Sequence, residues 1–185
     1  MGERPVVERS RRVFEGRVFN VRIDELRYDD GARHRCDVVE HQGSFTIVAA
    51  PQPGHVILVR QYRHPAGAVL WELPAGTAEA DEDPIAGAAR ELREETGYRA
   101  ARIRPLGALY VTPGFCTEIM RFFYAEELSA GEQALDEDER IEVGIFSTDA
   151  AWRLVATGEI ADIKTVLALL WLEGKRGEIG AGFGR

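Results

Sequence analysis

The stretch from Gly76 to Tyr98, GTAEADEDPIAGAARELREETGY, constrains this chain more than any other. Asp83 is a good helix N-cap, and Pro84 suits the first helical position, where its missing N–H leaves nothing unpaired. Gly97 is a natural stop, because glycine enters the left-handed backbone region without strain. These signals predict a short helix over 84–96. At about 100° per residue, Ile85, Ala88, Ala89, Leu92 and Thr96 are expected on one face and Glu91, Glu94 and Glu95 on the other. Glu91 and Glu95 repel across one turn. Three carboxylates on one helical face are either dissolved in water or neutralised by a cation. Oxygen-only ligands favour a hard metal, Mg²⁺ or alternatively Mn²⁺.

The rest of the chain is read around that helix. With 185 residues, one domain with a small appendage is expected, and a hydrophobic share of 45% is ordinary for a globular protein. A net charge of −8 argues against a general nucleic-acid binder. An acidic protein acting on an anionic substrate then needs metal or positive charge at its site. Cys36 and Cys116 form neither a metal-type cluster nor a disulfide framework, which fits a reducing, cytoplasmic setting. The start, MGERPVVERSRR, lacks the apolar core of a signal peptide, and the apolar run 165–172 is too short to span a bilayer, so no membrane partner is expected. The four histidines, His34, His41, His55 and His64, show no metal-ligand spacing.

Alternation over 17–28, the turn signal Asp29-Asp30-Gly31 and a returning strand over 33–41 predict an N-terminal hairpin. Strands are expected at 44–50, 55–62 and 68–73, then near 102–111, 118–126 and 141–147, with closing helices near 148–157 and 163–172. This mixture argues an α+β fold or a helix–sheet–helix sandwich. The expected organisation is an N-terminal β subdomain over 1–42, a main domain over 43–173 and a loose Gly-rich tail over 174–185.

The spacing of Gly76, Glu82, Arg90-Glu91-Leu92-Arg93-Glu94-Glu95 and Gly97 resembles the Nudix box, the signature of the Nudix hydrolases; Tyr98 replaces the usual aliphatic residue. Gln61-Tyr62-Arg63 and Glu72-Leu73-Pro74-Ala75-Gly76 before or leading into the box, Pro113-Gly114-Phe115 after it, and Gly158-Glu159-Ile160 with Asp162-Ile163-Lys164-Thr165 resemble the ADP-ribose pyrophosphatase branch. The resemblance implies a Nudix-type α/β/α sandwich with mixed sheets. It implies metal ligands at the Ala75 carbonyl, Glu91 and Glu95, with Glu94 close by. It implies structural roles in the box for Gly76, Glu82, Arg90 and Gly97, and substrate binding by Arg63, Glu72 and Gly114. A surface arginine and a solvated strand edge are the alternatives for Arg63 and Glu72.

Pyrophosphate cleavage also needs a base for the attacking water. The acidic loop Asp136-Glu137-Asp138-Glu139-Arg140-Ile141-Glu142 supplies candidates, and the branch's pattern points to Glu139, with Glu137, Glu142 or Glu94 as alternatives. The implied activity is metal-dependent hydrolysis of ADP-ribose to AMP and ribose 5-phosphate. Alternatives are another nucleoside diphosphate sugar such as GDP-mannose, or a non-catalytic nucleotide-binding module. The branch also implies a homodimer built through residues 17–41, where the alternating Phe19, Val21 and Ile23 need a packing partner.

Overall fold

A computed structural model describes residues 4–137 and 139–174. The chain forms two compact units, Met1–Gly43 with Tyr110–Met120, and Ser44–Leu109 with Arg121–Arg185. The first unit is a three-stranded antiparallel sheet of β1 (Val6–Glu15), β2 (Asn20–Arg27) and β3 (Arg33–Glu40), in that order. Between β2 and β3 the chain turns at Asp30-Gly31, where Gly31 takes φ +84° and Asp30 Oδ1 accepts from the Ala32 amide at 2.9 Å. The 110–120 segment returns to this unit through Val39, whose amide donates to Phe115 O at 2.7 Å and whose carbonyl accepts from Thr117 at 2.9 Å.

Strand β1 escapes a period-two reading, and its sequence shows why. Its apolar residues come in adjacent pairs, Val6-Val7 and Val13-Phe14, and register shifts fall at Val7/Arg9 and Arg12/Phe14. Each bulge turns the side-chain alternation over by one residue, so the face pattern never repeats long enough to be recognised. The predicted hairpin is therefore two strands of a three-stranded sheet.

Among the described residues, the second unit holds two sheets, three α-helices and a 3-10 turn at His64–Ala66. One sheet runs β10 (Glu142–Ser147), β5 (His55–Arg63), β6 (Ala68–Glu72); the other runs β7 (Ala75–Thr77), β4 (Ser44–Ala49), β9 (Ile119–Ser129), β8 (Arg99–Tyr110). The ends of β8 and β9 run into the first unit. Every residue of β4 is buried, the polar Ser44 and Thr46 included. Helix α1 (Pro84–Thr96) packs on β4 and β7, while α2 (Thr148–Thr157) contacts β10 and α3 (Ile163–Gly174). Phe45, Ile47 and Ala49 from β4, Ala88 and Leu92 from α1, and Phe123 and Ala125 from β9 share one core with Ile57. Truncating the fully buried Leu92 to alanine removes about 2–5 kcal/mol. This is the α+β architecture expected from the sequence. Of the predicted loose tail, Gly174 is the last residue of α3, and 175–185 lie outside the described residues.

No helix among the described residues is long and apolar enough to cross a membrane.

Candidate active site

Helix α1 starts where its local chemistry says it should. Asp83 Oδ1 accepts from the amides of Ile85 (3.1 Å) and Ala86 (2.9 Å), and Gly97 closes the helix at φ +76° with its amide on Arg93 O at 2.8 Å. The two-face division expected for α1 is corrected by the structure. Glu91 and Glu95, 8% and 4% exposed, lie on the buried side with Ala88 and Leu92, while Ile85 is 46% exposed. At 100° per residue, positions 88, 91, 92 and 95 fall within about a third of the circumference, so these two carboxylates flank the apolar stripe rather than oppose it. Only Glu94 turns outward.

Burial of those carboxylates comes from the strand in front of them. The Ala75 amide donates to Glu95 Oε2 at 2.9 Å. A Cβ on Gly76 would fall inside the Glu91 carboxylate, so glycine there is what lets β7 lie this close while Glu91 keeps its place. Arg90 organises the remainder. Its Nε and Nη2 grip both oxygens of Glu82 at 2.9 and 3.0 Å, and its Nη1 reaches Glu91 at 2.8 Å and Glu94 at 3.0 Å. Glu82 also accepts from the Glu79 amide at 3.2 Å, which ties the loop before the helix to its middle turn. Arg93 pairs with the other oxygen of Glu94 at 3.2 Å.

The electrostatics are those of a site short of positive charge. Burial, reinforced by the charges of Glu91 and Glu139, pushes the Glu95 carboxyl up to about 8, against the Ala75 amide and Arg63, which pull it down. Burial likewise raises Glu91, helped by Glu94 and Glu139 and opposed by Arg90. Two buried carboxylates with hard oxygens and an unmet demand for positive charge suit a divalent cation. Among the described residues no group of three His, Cys, Asp or Glu side chains is gathered at metal-binding range. Glu91 faces Arg90 and Glu95 faces the Ala75 amide.

Opposite this pair stands a second charged group, from different elements. Arg63, at the end of β5, holds Glu72, at the end of β6, in a two-pronged pair with both distances 2.9 Å. Glu72 is 2% exposed, so it is a buried ion partner rather than a solvated strand edge. Its other neighbour is Lys164 Nζ at 2.5 Å, on α3. The charge of Arg63 is felt by Glu95 and that of Asp162 by Arg63, so the two groups belong to one electrostatic neighbourhood.

Glu139 lies in the 131–141 loop. Its carboxylate accepts from the Asp136 amide at 3.1 Å, and its charge reaches both Glu91 and Glu95. Gln133 fastens this loop to α1 by donating to Glu95 O at 2.6 Å. Of the alternatives, Glu142 pairs with Arg60 at 3.3 Å on the β10–β5 ladder, Glu137 is exposed, and Glu94 is held by two arginines. Gly114 sits in the 112–115 turn of the first unit, with open space where a Cβ would go. That unit also carries a cleft of about 290 Å³ lined by Arg12, Arg22, Phe19 and His41. Sequence reasoning missed Lys164 as a site residue. The available signal was a lysine just ahead of the apolar run of α3, in the Asp162-Ile163-Lys164-Thr165 motif, where a buried charge needs a partner.

The profile of the NUDIX domain matches residues 40–169. The chain is 37% identical over 163 residues to an ADP-ribose pyrophosphatase of Bacillus subtilis (strain 168), covering 87% of this chain and 88% of that one. It is 34% identical over 167 residues to a methanol dehydrogenase activator of Bacillus methanolicus, covering 89% and 90%. It is also 34% identical over 168 residues to a GDP-mannose pyrophosphatase of Shigella flexneri, covering 84% and 87%. Among solved structures, that of an ADP compounds hydrolase has the same fold, with a TM-score of 0.80 at 23% identity over 94% of this chain and 96% of that one.

Proposed function

The chain belongs to the NUDIX family, and from that membership we propose that it hydrolyses the pyrophosphate bond of ADP-ribose, giving AMP and ribose 5-phosphate. The observation that carries the reading is the buried pair Glu91 and Glu95, pressed against Ala75 and Gly76 and raised by burial, beside the Arg63–Glu72 pair. Glu91, Glu95 and the Ala75 carbonyl would hold Mg²⁺, or Mn²⁺, with Glu94 near. When bound, such an ion neutralises phosphate charge and lowers the pKa of water.

The chain's own residues supply the remaining parts. Arg63 offers a fixed guanidinium to phosphate oxygens. Glu139 takes the proton of the attacking water, being the loop carboxylate whose charge reaches Glu91 and Glu95 without a competing arginine among the described residues. Glu82 and Arg90 keep the loop and helix in register. Gly114 is kept as a substrate contact on the resemblance of Pro113-Gly114-Phe115 to the branch.

The working unit of this reading is a homodimer made through residues 17–41, beside which β1 and the turn into β2 leave Val13, Phe14, Val18 and Phe19 42–51% exposed. A second copy covering them, and completing the adenosine pocket, is what such a surface asks for. Light scattering at micromolar concentration should give the dimer mass; a fully active monomer would remove this part.

The functional test is a panel of ADP-ribose, GDP-mannose and nucleoside triphosphates, with Mg²⁺ and with EDTA, and products identified by chromatography. ADP-ribose should show the highest kcat/KM and yield AMP. Preference for GDP-mannose would move the chain to the second reading, which the resemblance to a GDP-mannose pyrophosphatase favours. Nucleotide binding without turnover would make it a binding module.

A further inference from the structure

We propose that Lys164 is a positioning residue, which holds the far side of the Glu72 carboxylate and thereby fixes the Arg63 guanidinium as a rigid fork for anionic substrate. The inference rests on the reading of Arg63 as the substrate-holding cation. The geometry is a chain of charges that is closed at one end and open at the other. Glu72 Oε1 accepts from Arg63 Nε, and Oε2 is shared between Arg63 Nη2 and Lys164 Nζ. Lys164 Nζ also donates to Asp162 Oδ1 at 2.9 Å. Asp162 Oδ1 accepts in addition from the Thr165 amide at 3.0 Å, capping the first turn of α3. Thr165 Oγ1 in turn accepts from the Leu73 amide at 2.9 Å. The start of α3 is thus sewn to Glu72, the last residue of β6, and to Leu73, which follows it.

Exposure gives this chain a direction. The side chains of Glu72 and Lys164 are 3% and 10% exposed, and that of Arg63 is 39% exposed. Among the described residues Nη1 of Arg63 carries no hydrogen bond, so one donor of the fork is left for a ligand. The open end also lies within the field of Glu95. A purely structural explanation of the buried lysine is weak. Buried ion pairs add little stability over apolar side chains of similar volume, and Asp162 and Thr165 already tie the start of α3 to Leu73 through Thr165 without Lys164. An arginine left with one mobile partner samples many rotamers, and ordering it again weakens binding.

The experiment uses the full chain, with Lys164→Met, Lys164→Arg, Arg63→Ala and the double variant Arg63→Ala/Lys164→Met. Two-dimensional NMR of arginine side chains reads the positioning without any need for turnover. The Arg63 Nε–Hε resonance, assigned by its absence in Arg63→Ala, should be slowly exchanging and rigid in the native protein. It should lose both properties in Lys164→Met and keep them in Lys164→Arg. Kinetics with ADP-ribose and Mg²⁺ read the consequence. Lys164→Met should raise KM by about tenfold with kcat within about threefold, and should add nothing to the defect of Arg63→Ala. Thermal melts report whether each variant is folded, and Lys164→Gln replaces Lys164→Met should the latter not fold. An Arg63 resonance unchanged in the folded neutral variant, or additive kinetic defects, would overturn the proposal. If the native protein hydrolyses no nucleoside diphosphate sugar, the proposed function fails, and the NMR result alone still decides whether Lys164 positions Arg63.

Discussion

Gly76→Ala is the smallest perturbation that reaches the centre of the site. Gly76 lies on β7 opposite Phe45 of β4, and an added Cβ would occupy the place of the Glu91 carboxylate. Either the strand or the carboxylate must move. Overpacking of this kind costs about 1–3 kcal/mol. The opposing gain, a less flexible unfolded chain, is about 0.4–1 kcal/mol. The overlap therefore wins, leaving a net loss of roughly 1–2 kcal/mol, which at roughly 3 °C per kcal/mol lowers Tm by roughly 3–6 °C. Removing the obstacle separates stability from chemistry. In Gly76→Ala/Glu91→Ala the place is empty and only the unfolded-chain gain of about 0.4–1 kcal/mol remains, so the double variant should melt roughly 1–3 °C above Glu91→Ala alone, giving a favourable coupling of about 1–3 kcal/mol, the overlap itself. Turnover should not return, because Glu91 is gone. Gly114→Ala is the control for Tm alone, with nothing within 4 Å of its added Cβ; its turnover is left out of the comparison because Gly114 belongs to the proposed substrate site. Calorimetry on these four variants, and the hydrolase assay on the other three, make the test. A Gly76→Ala protein with native Tm and full turnover would refute the close approach of β7 to Glu91.

Glu95→Gln should lower kcat by orders of magnitude with the fold intact, since an amide is a poor ligand for a hard cation; near-native turnover that still requires metal would count against Glu95 as a ligand. Glu139→Gln should lower kcat far more than it changes KM, and a mild effect there with a crippled Glu142→Gln or Glu137→Gln would move the base along the loop. Burial pushes the Glu72 carboxyl up, but the hydrogen bonds and charges of Arg63 and Lys164 outweigh it and hold it below its ordinary 4.5. Its stabilisation is then present above pH 4.5 and disappears as pH falls through the lower folded value. Melts across that range should show a smaller acid loss of Tm for Glu72→Gln than for the native chain, and equal acid losses would contradict the pairing.

What the sequence determined by itself was what local forces decide. The bounds of α1 follow from Asp83, Pro84 and Gly97, each acting within one turn of its own position. The turn at Asp30-Gly31 is equally local. The buried strand β4 and the buried first half of β5, Val56–Val59, announce themselves by their apolar residues. The spaced Gly, Glu and Arg positions of the box were enough for the family, because their spacing encodes how a loop and a helix meet. Tertiary structure decided everything that depends on a neighbour distant in the chain. Glu91 and Glu95 look like a solvated acidic face until β7 is laid across them, and only that burial raises their carboxyls. Glu72 reads equally well as a strand edge or a contact until Arg63 from β5 and Lys164 from α3 close on it. Strand β1 is hidden because bulges shift its faces, and only pairing with β2 reveals it. The physical reason is the same throughout: capping and turn chemistry act between residues a few positions apart, whereas burial and charge compensation are set by which elements the folded chain brings together.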